Sequence, residues 1–175
     1  GKNDYVTCEE AIGDLPSLQT DEGDIIYGEE IQDYLYPIQN DYQKRMRANS
    51  EKVRNHIGSI PIEKTKFMIS LVPEGKNYKA LPEEYQGIYK YHEALTRYHS
   101  KKPSNTINTG HRSHFHYKWN RIPTVRESAR LQSFPDDFIF YGNKSEQYRQ
   151  VGNAVPPILG QVVADALLPY LKDGE

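Results

Sequence analysis

The sequence predicts a mixed α+β fold in which short helices alternate with short extended segments. Two capping boxes, over residues 7–10 and 124–127, mark the starts of helices. The apolar runs at 67–72 and 138–141 are short and bounded by turn residues, which is typical of strands. Apolar residues recur at helical spacing over 158–170, so a longer helix follows near the end of the chain.

The first part of the chain is expected to hold short elements joined by long connections. The first helix ends at residues 13–16, where glycine and proline occur, and the acidic, turn-rich residues 17–40 follow as a connection. Asn40 can cap a basic helix over about 41–54. Residues 85–98 are ambiguous and fit a helix that is broken at a glycine.

The last part is expected to be more regular. The polar residues 100–120 are predicted to be loops, and a helix follows over 124–132. A turn at 142–143 leads to a short helix that Ser145 caps. The sequence then predicts a break at 152–155, before two prolines that open the final helix.

Charge is distributed unevenly along the 175 residues. The formal net charge is −2, but residues 1–40 carry −9, residues 41–121 carry +9 and residues 122–175 carry −2. All six histidines and seven of the 14 tyrosines lie in the middle block. A nucleic-acid surface combines basic and aromatic residues in this way, although a solvated surface of mixed charge has the same composition.

The composition also excludes several kinds of site. Cys8 is the only cysteine, so the sequence excludes an internal disulfide and a cysteine-based zinc site. The spacing of His111, His114 and His116 is that of a loop, and we expect no metal there. No apolar run of membrane-spanning length and no signal peptide are evident, which predicts a cytoplasmic protein with no membrane partner.

Two segments near the C-terminus carry a specific pattern. The first, at 121–138, reads Arg-Ile-Pro-Thr-Val-Arg-Glu-Ser-Ala-Arg-Leu-Gln-Ser-Phe-Pro-Asp-Asp-Phe. The second, at 150–157, reads Gln-Val-Gly-Asn-Ala-Val-Pro-Pro. In this order and about a dozen residues apart, they resemble the last two motifs of the DNA cytosine-5 methyltransferase family. Weaker likenesses at 11–16 and 103–109 extend the resemblance over nearly the whole chain.

Other motifs of that family have no counterpart in this sequence. The Gly-rich cofactor loop, the Pro-Cys nucleophile, the Glu-Asn-Val motif and the Gln-x-Arg-x-Arg motif are absent, and Cys8 follows Thr7 rather than a proline. The chain therefore resembles the C-terminal part of such an enzyme. It is either a fragment of a longer chain, which is the preferred interpretation, or the smaller subunit of a split enzyme. We expect no methyl transfer by the chain alone.

The resemblance implies an α/β parent enzyme, with a Rossmann-like catalytic domain and a smaller, mixed α+β target-recognition domain. Residues 1–24 would be the tail of the catalytic domain and a linker, and residues 25–120 the target-recognition domain. Residues 121–175 would hold the last two motifs and the C-terminal helix, which returns to the catalytic domain. Arg126 and Arg130 lie four apart on a helix face that is expected to meet the recognition domain. Because the final helix would pack on a sheet that this chain lacks, the isolated chain is expected to self-associate.

The resemblance also implies ligands and the residues that bind them. Enzymes of this family flip a cytosine out of double-stranded DNA and methylate its C5 with S-adenosylmethionine. Asn153 and Val155 match positions that line the cofactor site, although the chain alone would bind the cofactor weakly or not at all. No residue of this chain is expected to be catalytic. Candidate DNA contacts lie in predicted loops of the basic block: Arg97, Thr106, Asn108, Thr109, Arg112 and Lys118.

The predicted function is therefore that of the C-terminal portion of a DNA cytosine-5 methyltransferase. This portion would recognise the DNA target and complete the cofactor site, and the parent enzyme would act in a restriction-modification context. Two alternatives stay open. One is a non-catalytic DNA-binding subunit of a split methyltransferase, whose partner supplies the missing catalytic domain. The other is a relative that methylates cytosine in RNA.

Overall fold

Short helices and strands alternate through the computed structural model, which describes residues 5–20, 22–86, 95–110 and 113–172. In chain order its elements are α1 (Cys8–Ile12), β1 (Ile31–Asp33), α2 (Asp41–Met46), β2 (Lys52–Arg54), α3 (Glu63–Ser70), a 3₁₀ helix (Tyr78–Ala80), α4 (Glu83–Gln86), β3 (Thr96–Arg97), β4 (His114–Phe115), α5 (Val125–Leu131), α6 (Lys144–Asn153) and α7 (Pro157–Lys172). This mixture of helices and strands agrees with the α+β class that the sequence predicts for this chain.

Two small sheets organise the first two thirds of the described chain. β1 and β2 pair antiparallel, whereas β3 and β4 pair parallel, with Thr96 opposite His114. The backbone N–H of Arg97 donates to the carbonyl oxygen of Lys76 at 2.9 Å. The segment after α3 therefore lies along one side of β3, and β4 lies along the other.

The local capping signals are confirmed. Both capping boxes, over residues 7–10 and 124–127, form with their two hydrogen bonds at α1 and α5. A third capping box begins α6, where Asn143 accepts from the backbone N–H of Glu146 and Glu146 bonds back to Asn143. The predicted cap of this helix, Ser145, is wrong by two residues.

The strand predicted at 67–72 is wrong, because most of this run belongs to α3. Met68, Ile69 and Val72 are buried, whereas Phe67 is 51% exposed. Burial at two adjacent positions and again four residues after the first follows one face of a helix, whereas a strand would bury alternate residues. A short apolar run fits both patterns until the packing of the fold selects one.

The strand predicted at 138–141 is also wrong. No strand forms over these residues, and the side chain of Asn55 takes the place of a neighbouring strand. The N–H of Phe140 donates to Asn55 Oδ1 at 3.0 Å, and Asn55 Nδ2 donates to the carbonyl oxygen of Phe140 at 2.8 Å. Asn55 itself has a left-handed backbone with φ 58°, which asparagine tolerates better than most residues.

Other differences concern the length of the elements. The basic helix expected over 41–54 ends at Met46, and residues 52–54 of the predicted range form β2. β1 lies within the acidic connection, and β4 lies within the loop predicted at 100–120. α4 ends at Gln86, and residues 87–94 of the ambiguous stretch lie outside the described residues.

Three apolar clusters form the interior. The first joins α3 to β3 and β4 through residues such as Ile69 and Phe115. The second joins α5 to α6 through Ala129 and Val151, and the third joins α1 to β2 through Ile12. Helix α5 contributes to the second and third clusters and therefore links the two ends of the described chain.

Helix α7 differs from the other elements because its apolar side chains face solvent. Val162, Leu167, Tyr170 and Leu171 are between 54% and 78% exposed. None of its described side chains is buried. This helix has the apolar stripe that the sequence predicts, but the described residues do not cover the stripe.

One segment, Lys144–Leu171, is long and apolar enough to cross a membrane by length and composition alone. The sequence prediction that no such run exists is therefore wrong. The segment is interrupted at Ala154, where the backbone is extended between α6 and α7. It also carries Asp165, and a charged side chain within a membrane helix is unfavourable. Length and composition are therefore only weak evidence that this segment spans a membrane.

Candidate functional site

The junction of α6 and α7 carries both predicted cofactor residues. α6 ends at Asn153, and the extended backbone of Ala154 (φ −79°, ψ 148°) turns the chain toward Pro157. Asn153 is exposed, and Val155 is 66% exposed. The Asn153 amide forms no side-chain hydrogen bond within the described residues. A polar amide and an apolar side chain therefore stand next to each other on the surface.

Gly152 brings a second segment of the chain to this junction. A Cβ on Gly152 would lie 2.6 Å from both the carbonyl carbon of Asn108 and the backbone nitrogen of Thr109. Such distances are far below van der Waals contact, so only glycine allows this approach. The space beside Gly152 is therefore occupied by the backbone of residues 108–109. Gly152 also continues α6 instead of breaking it.

Residues at the end of α5 hold the same junction from another side. Gln132 Nε2 donates to the carbonyl oxygen of Val151 at 2.7 Å, and the N–H of Ile158 donates to Ser133 Oγ at 3.1 Å. Ser133 has a left-handed backbone with φ 63° that follows the helix end. Neither contact can be predicted from the sequence, because no local pattern marks a side chain that bonds a backbone about 20 residues away.

The stretch 103–109 packs against α6 and presents polar side chains to solvent. Thr106, Asn108 and Thr109 are all exposed, whereas Ile107 between them packs against the apolar cluster of α5 and α6. Asn108 Oδ1 accepts from the N–H of Gly110 at 3.0 Å, which shapes the end of the stretch as a turn. Three of the predicted DNA-contacting residues therefore lie side by side next to the α6–α7 junction.

Arg97 does not occupy the exposed loop position that the sequence predicts. It lies on β3 and is 6% exposed. Its guanidinium donates to the carbonyl oxygens of Ile69 at 2.7 Å and Val72 at 2.8 Å, and to Asn120 Oδ1 at 2.6 Å. Burial lowers the pKa of this guanidinium below its usual value. Arg97 therefore ties α3 to the loop after β4, and its side chain is not available to contact a base.

The last two predicted DNA contacts lie farther along the chain. Lys118 is exposed, and its Nζ lies 4.6 Å from the centre of the Trp119 ring. This distance is within the range of a cation–π interaction, so the tryptophan orients the lysine without removing it from solvent. Arg112 lies outside the described residues.

Three buried arginines on or beside α5 connect this region to distant segments. Arg130 forms two hydrogen bonds of 2.6 Å to Asp136 and one of 3.1 Å to Asp14, at the end of α1. Arg126 donates to the carbonyl oxygens of Arg54 at 3.0 Å and Phe138 at 2.6 Å. The face that carries Arg126 and Arg130 thus contacts residues of the predicted recognition domain and the chain's first helix.

The third arginine, Arg121, forms a buried ion pair with Glu127. Its two terminal nitrogens donate to the two carboxylate oxygens at 2.7 and 2.6 Å. Burial by itself would raise the pKa of Glu127, but Arg121 holds that pKa well below its usual range. The same carboxylate completes the capping box with the N–H of Thr124 at 2.7 Å. One acid therefore caps α5 and neutralises a buried arginine.

Two buried histidines surround this ion pair. His56 Nδ1 lies 2.8 Å from Thr124 Oγ1, and its Nε2 lies 2.8 Å from the carbonyl oxygen of Pro16. His116 Nδ1 accepts from the backbone N–H groups of Lys118 and Trp119. Burial lowers the pKa of His56 to about 4 and that of His116 to about 3. Both rings are therefore neutral at physiological pH.

Cys8 has none of the properties of a nucleophile. Its side chain is fully buried in α1, and burial raises the pKa of its thiol to about 12. A thiolate, which is the reactive form, is therefore not accessible here at neutral pH.

Comparison with known proteins identifies relatives over nearly the whole chain. The family model described as C-5 cytosine-specific DNA methylase matches residues 3–168. Type II methyltransferase M.DdeI of Desulfomicrobium norvegicum is 32% identical over 98% of this chain and 45% of its own length. Type II methyltransferase M1.HphI of Haemophilus parahaemolyticus is 38% identical over 94% of this chain and 37% of its own length. The chain thus spans less than half of each of these two relatives.

A solved structure shows the same fold. An E. coli protein encoded within a prophage and described as a DNA modification methyltransferase superposes with a TM-score of 0.72. The two sequences are 20% identical, and the superposition covers 98% of this chain and 49% of the other. The described chain therefore has the fold of part of a methyltransferase.

Proposed function

The chain belongs to the C-5 cytosine-specific DNA methylase family, and we propose that it forms the DNA-recognising portion and one edge of the cofactor site of a type II methyltransferase. The parent enzyme transfers a methyl group to C5 of cytosine in a specific DNA sequence, in a restriction-modification context. One observation carries this proposal. The exposed stretch that ends in Asn108 and Thr109 is seated directly on Gly152, one residue before the cofactor residue Asn153.

The α6–α7 junction fits one edge of an S-adenosylmethionine site. Asn153 offers a donor and an acceptor to polar atoms of the cofactor, and the exposed Val155 offers an apolar surface to its rings. When bound, the cofactor supplies an electrophilic methyl group. These two residues cover only one side of a ligand, so the rest of the site belongs to another part of the enzyme. We therefore expect weak or undetectable cofactor binding by this chain alone.

The DNA contacts come from the stretch beside that junction and from the loop after β4. Thr106, Asn108 and Thr109 are exposed and polar, and side chains of these types can hydrogen-bond base edges in the major groove. An asparagine amide can read adenine, and Lys118 can contact phosphate. In this proposal residues 25–120 form the recognition domain, and residues 121–175 return to the catalytic domain. The buried arginines of α5 fix one part to the other.

The nucleophile comes from outside the chain. Cytosine methylation in this family requires a thiolate that attacks C6 of a flipped cytosine, so that C5 becomes reactive. Cys8 is buried and protonated at neutral pH, and it lies on α1, where the carbonyl oxygen of Ala11 accepts from Arg130 at 2.9 Å. The exposed apolar face of α7 is the surface that would dock on the missing catalytic part.

A methyl-transfer assay tests the proposal directly. The chain alone, with labelled S-adenosylmethionine and duplex DNA, should show no turnover above background. Co-expression with the polypeptide encoded immediately upstream should restore methylation of cytosine in duplex DNA. Turnover by the chain alone would refute the assignment of the nucleophile. Methylation of transfer RNA but not of DNA would refute the substrate.

A further inference from the structure

A groove of about 710 Å³ lies next to the polar stretch 103–109. Its walls are the segment after α3, the strand β3 with the residues that follow it, and the first residues of the stretch itself. Three exposed lysines line it, Lys76, Lys79 and Lys102, together with the half-buried His99. No acidic residue is among the described residues that line the groove. None of these four side chains was singled out from the sequence.

Backbone hydrogen bonds fix the lysines around the groove. The carbonyl oxygen of Lys76 accepts from the N–H of Arg97, and the N–H of Gly75 donates to the carbonyl oxygen of Tyr98 at 3.2 Å. On the opposite wall, the carbonyl oxygen of Lys102 accepts from the N–H of Cys8, the first residue of α1, at 2.9 Å. The backbone at Lys76 and at Lys102 is therefore hydrogen-bonded to other segments of the chain.

Gly75 is another residue that lines the groove. It has a φ of +71°, and a Cβ there would lie 2.8 Å from the ring of His99. A side chain at this position would displace the histidine that lines the groove, so glycine is required both for the turn and for the contact. Arg97 also lines the groove, where its backbone N–H donates to the carbonyl oxygen of Lys76.

The nearest acid along the chain, Glu74, is engaged at the rim. Its carboxylate accepts from the backbone N–H of Ser100 and lies 3.4 Å from His99 Nδ1. Burial by itself would raise the pKa of Glu74, but the hydrogen bonds from Ser100 hold that pKa below its usual range. This carboxylate therefore holds the wall of the groove, and the lysines dominate the charge of the lining.

We propose that this groove binds the phosphodiester backbone of duplex DNA, next to the bases that residues 106–109 contact. This inference rests on the proposed function and assigns it a positioning site. Lysine binds phosphate through its compact positive charge. The side chains of Ser104 and Asn105 add polar groups to the same groove. The groove opens beside the stretch that carries Thr106 and Asn108, so one duplex can reach both.

The test measures DNA binding by the chain at several salt concentrations. Fluorescence anisotropy with a labelled duplex gives the dissociation constant, and its logarithm is plotted against the logarithm of the salt concentration. Each phosphate contact contributes roughly 0.9 to the slope of that plot. Lys76→Gln, Lys79→Gln and Lys102→Gln should each reduce the slope by about 1. Each should also weaken binding by a similar factor for every DNA sequence.

Matched controls separate the groove from bulk charge. Lys44→Gln on α2 and Lys64→Gln on α3 remove the same charge from exposed positions outside the groove. They should leave the slope unchanged, and thermal unfolding should show that all five variants fold alike.

The outcomes distinguish this inference from the proposed function. If the chain binds duplex DNA and the groove variants behave like the controls, the groove assignment is wrong and the proposed function stands. If the chain binds no duplex DNA even at low salt, DNA recognition by this chain fails and the groove assignment fails with it. If duplex RNA binds as tightly and loses the same slope with each variant, the groove is not a DNA site.

Discussion

Helices α5 and α7 lie in the same family match but differ in the burial of their side chains. α5 and its flanks bury Arg121, Arg126 and Arg130 completely, whereas Leu167 and Leu171 of α7 are 54% and 75% exposed. Arginine is almost never fully buried unless it is paired, and large apolar residues on a surface usually mark an interface. The difference shows that α5 finds its partners within the described residues, whereas the apolar face of α7 is not covered by any of them.

The two regions should therefore respond differently to mutation. A buried ion pair contributes little net stability, but removal of one partner leaves an uncompensated charge in the interior. An exposed apolar residue contributes little to the stability of the chain that carries it, because folding does not remove it from water. Disruption of α5 should unfold the chain, whereas disruption of α7 should change only association.

The largest effect is expected from Arg130→Met. This substitution removes the cation that Asp14 and Asp136 share. Among the described cations, Asp14 keeps Arg47 at 3.2 Å, but Asp136 keeps only Arg126 at 3.8 Å and loses both hydrogen bonds from Arg130, so we expect a loss of about 3–5 kcal/mol in the free energy of unfolding. Urea denaturation measures it. Arg149→Met removes the same charge from an exposed position of α6 and should change stability by less than about 0.5 kcal/mol. Equal losses in the two variants would show that the buried network is not the cause.

A second test uses pH to disturb the α5 region without a mutation. His56 and His116 have folded pKa values of about 4 and about 3. In the unfolded chain the pKa of a histidine is about 6.5. Below that pH the two histidines therefore bind protons in the unfolded chain but not in the folded one. The free energy of unfolding is therefore not reduced by these histidines above about pH 6.5, and it falls as the pH drops toward 4. The loss approaches roughly 1.4 kcal/mol per pH unit for each histidine.

Urea denaturation between about pH 7 and pH 5 measures this slope. His56→Asn should make the slope shallower, because one titrating group is gone, whatever its effect on stability at neutral pH. A stability that stays constant over this range would contradict the buried, neutral state of both rings.

The third test concerns the contact between the stretch 103–109 and α6. Gly152→Ala places a Cβ 2.6 Å from backbone atoms of Asn108 and Thr109, and over-packing of this kind costs about 1–3 kcal/mol. Gly160→Ala in α7 is the matched control, since a Cβ there meets nothing within 4 Å. Alanine favours a helix by up to about 1 kcal/mol over glycine, so the control should be stabilised. Melting temperatures that shift in the same direction would refute the contact.

These contrasts also show which features the sequence can predict. Capping boxes are local, and the hydrogen bonds at residues 7–10 and 124–127 follow from residues three apart. The family resemblance rested on residues 121–138 and 150–157, and the match over 3–168 confirms the family. The apolar stripe of α7 was also predicted from its spacing, although the sequence cannot show which chain would cover it.

Features that depend on distant residues could not be predicted. Residues 138–141 have the composition of a strand, but they meet the side chain of Asn55, 85 positions earlier than Phe140, instead of another strand. The sequence predicts Arg97 as a DNA contact in a loop of the basic block, but its guanidinium donates to the carbonyl oxygens of Ile69 and Val72 instead. The roles of the individual DNA and cofactor residues stay predictions until the binding experiments are done.

The smallest effect on stability is expected from α7. Val163→Glu and Leu167→Glu place charges one turn apart on its exposed face, and each should change the free energy of unfolding by less than about 0.5 kcal/mol. The chain should self-associate through this face, so both variants should shift light scattering and sedimentation toward the monomer. Gln161→Glu adds the same charge without removal of an apolar group and should leave association unchanged. If the first two variants lose several kcal/mol, α7 has a partner inside the chain and the contrast with α5 disappears. If the unmodified chain is already a monomer, the apolar face does not drive self-association.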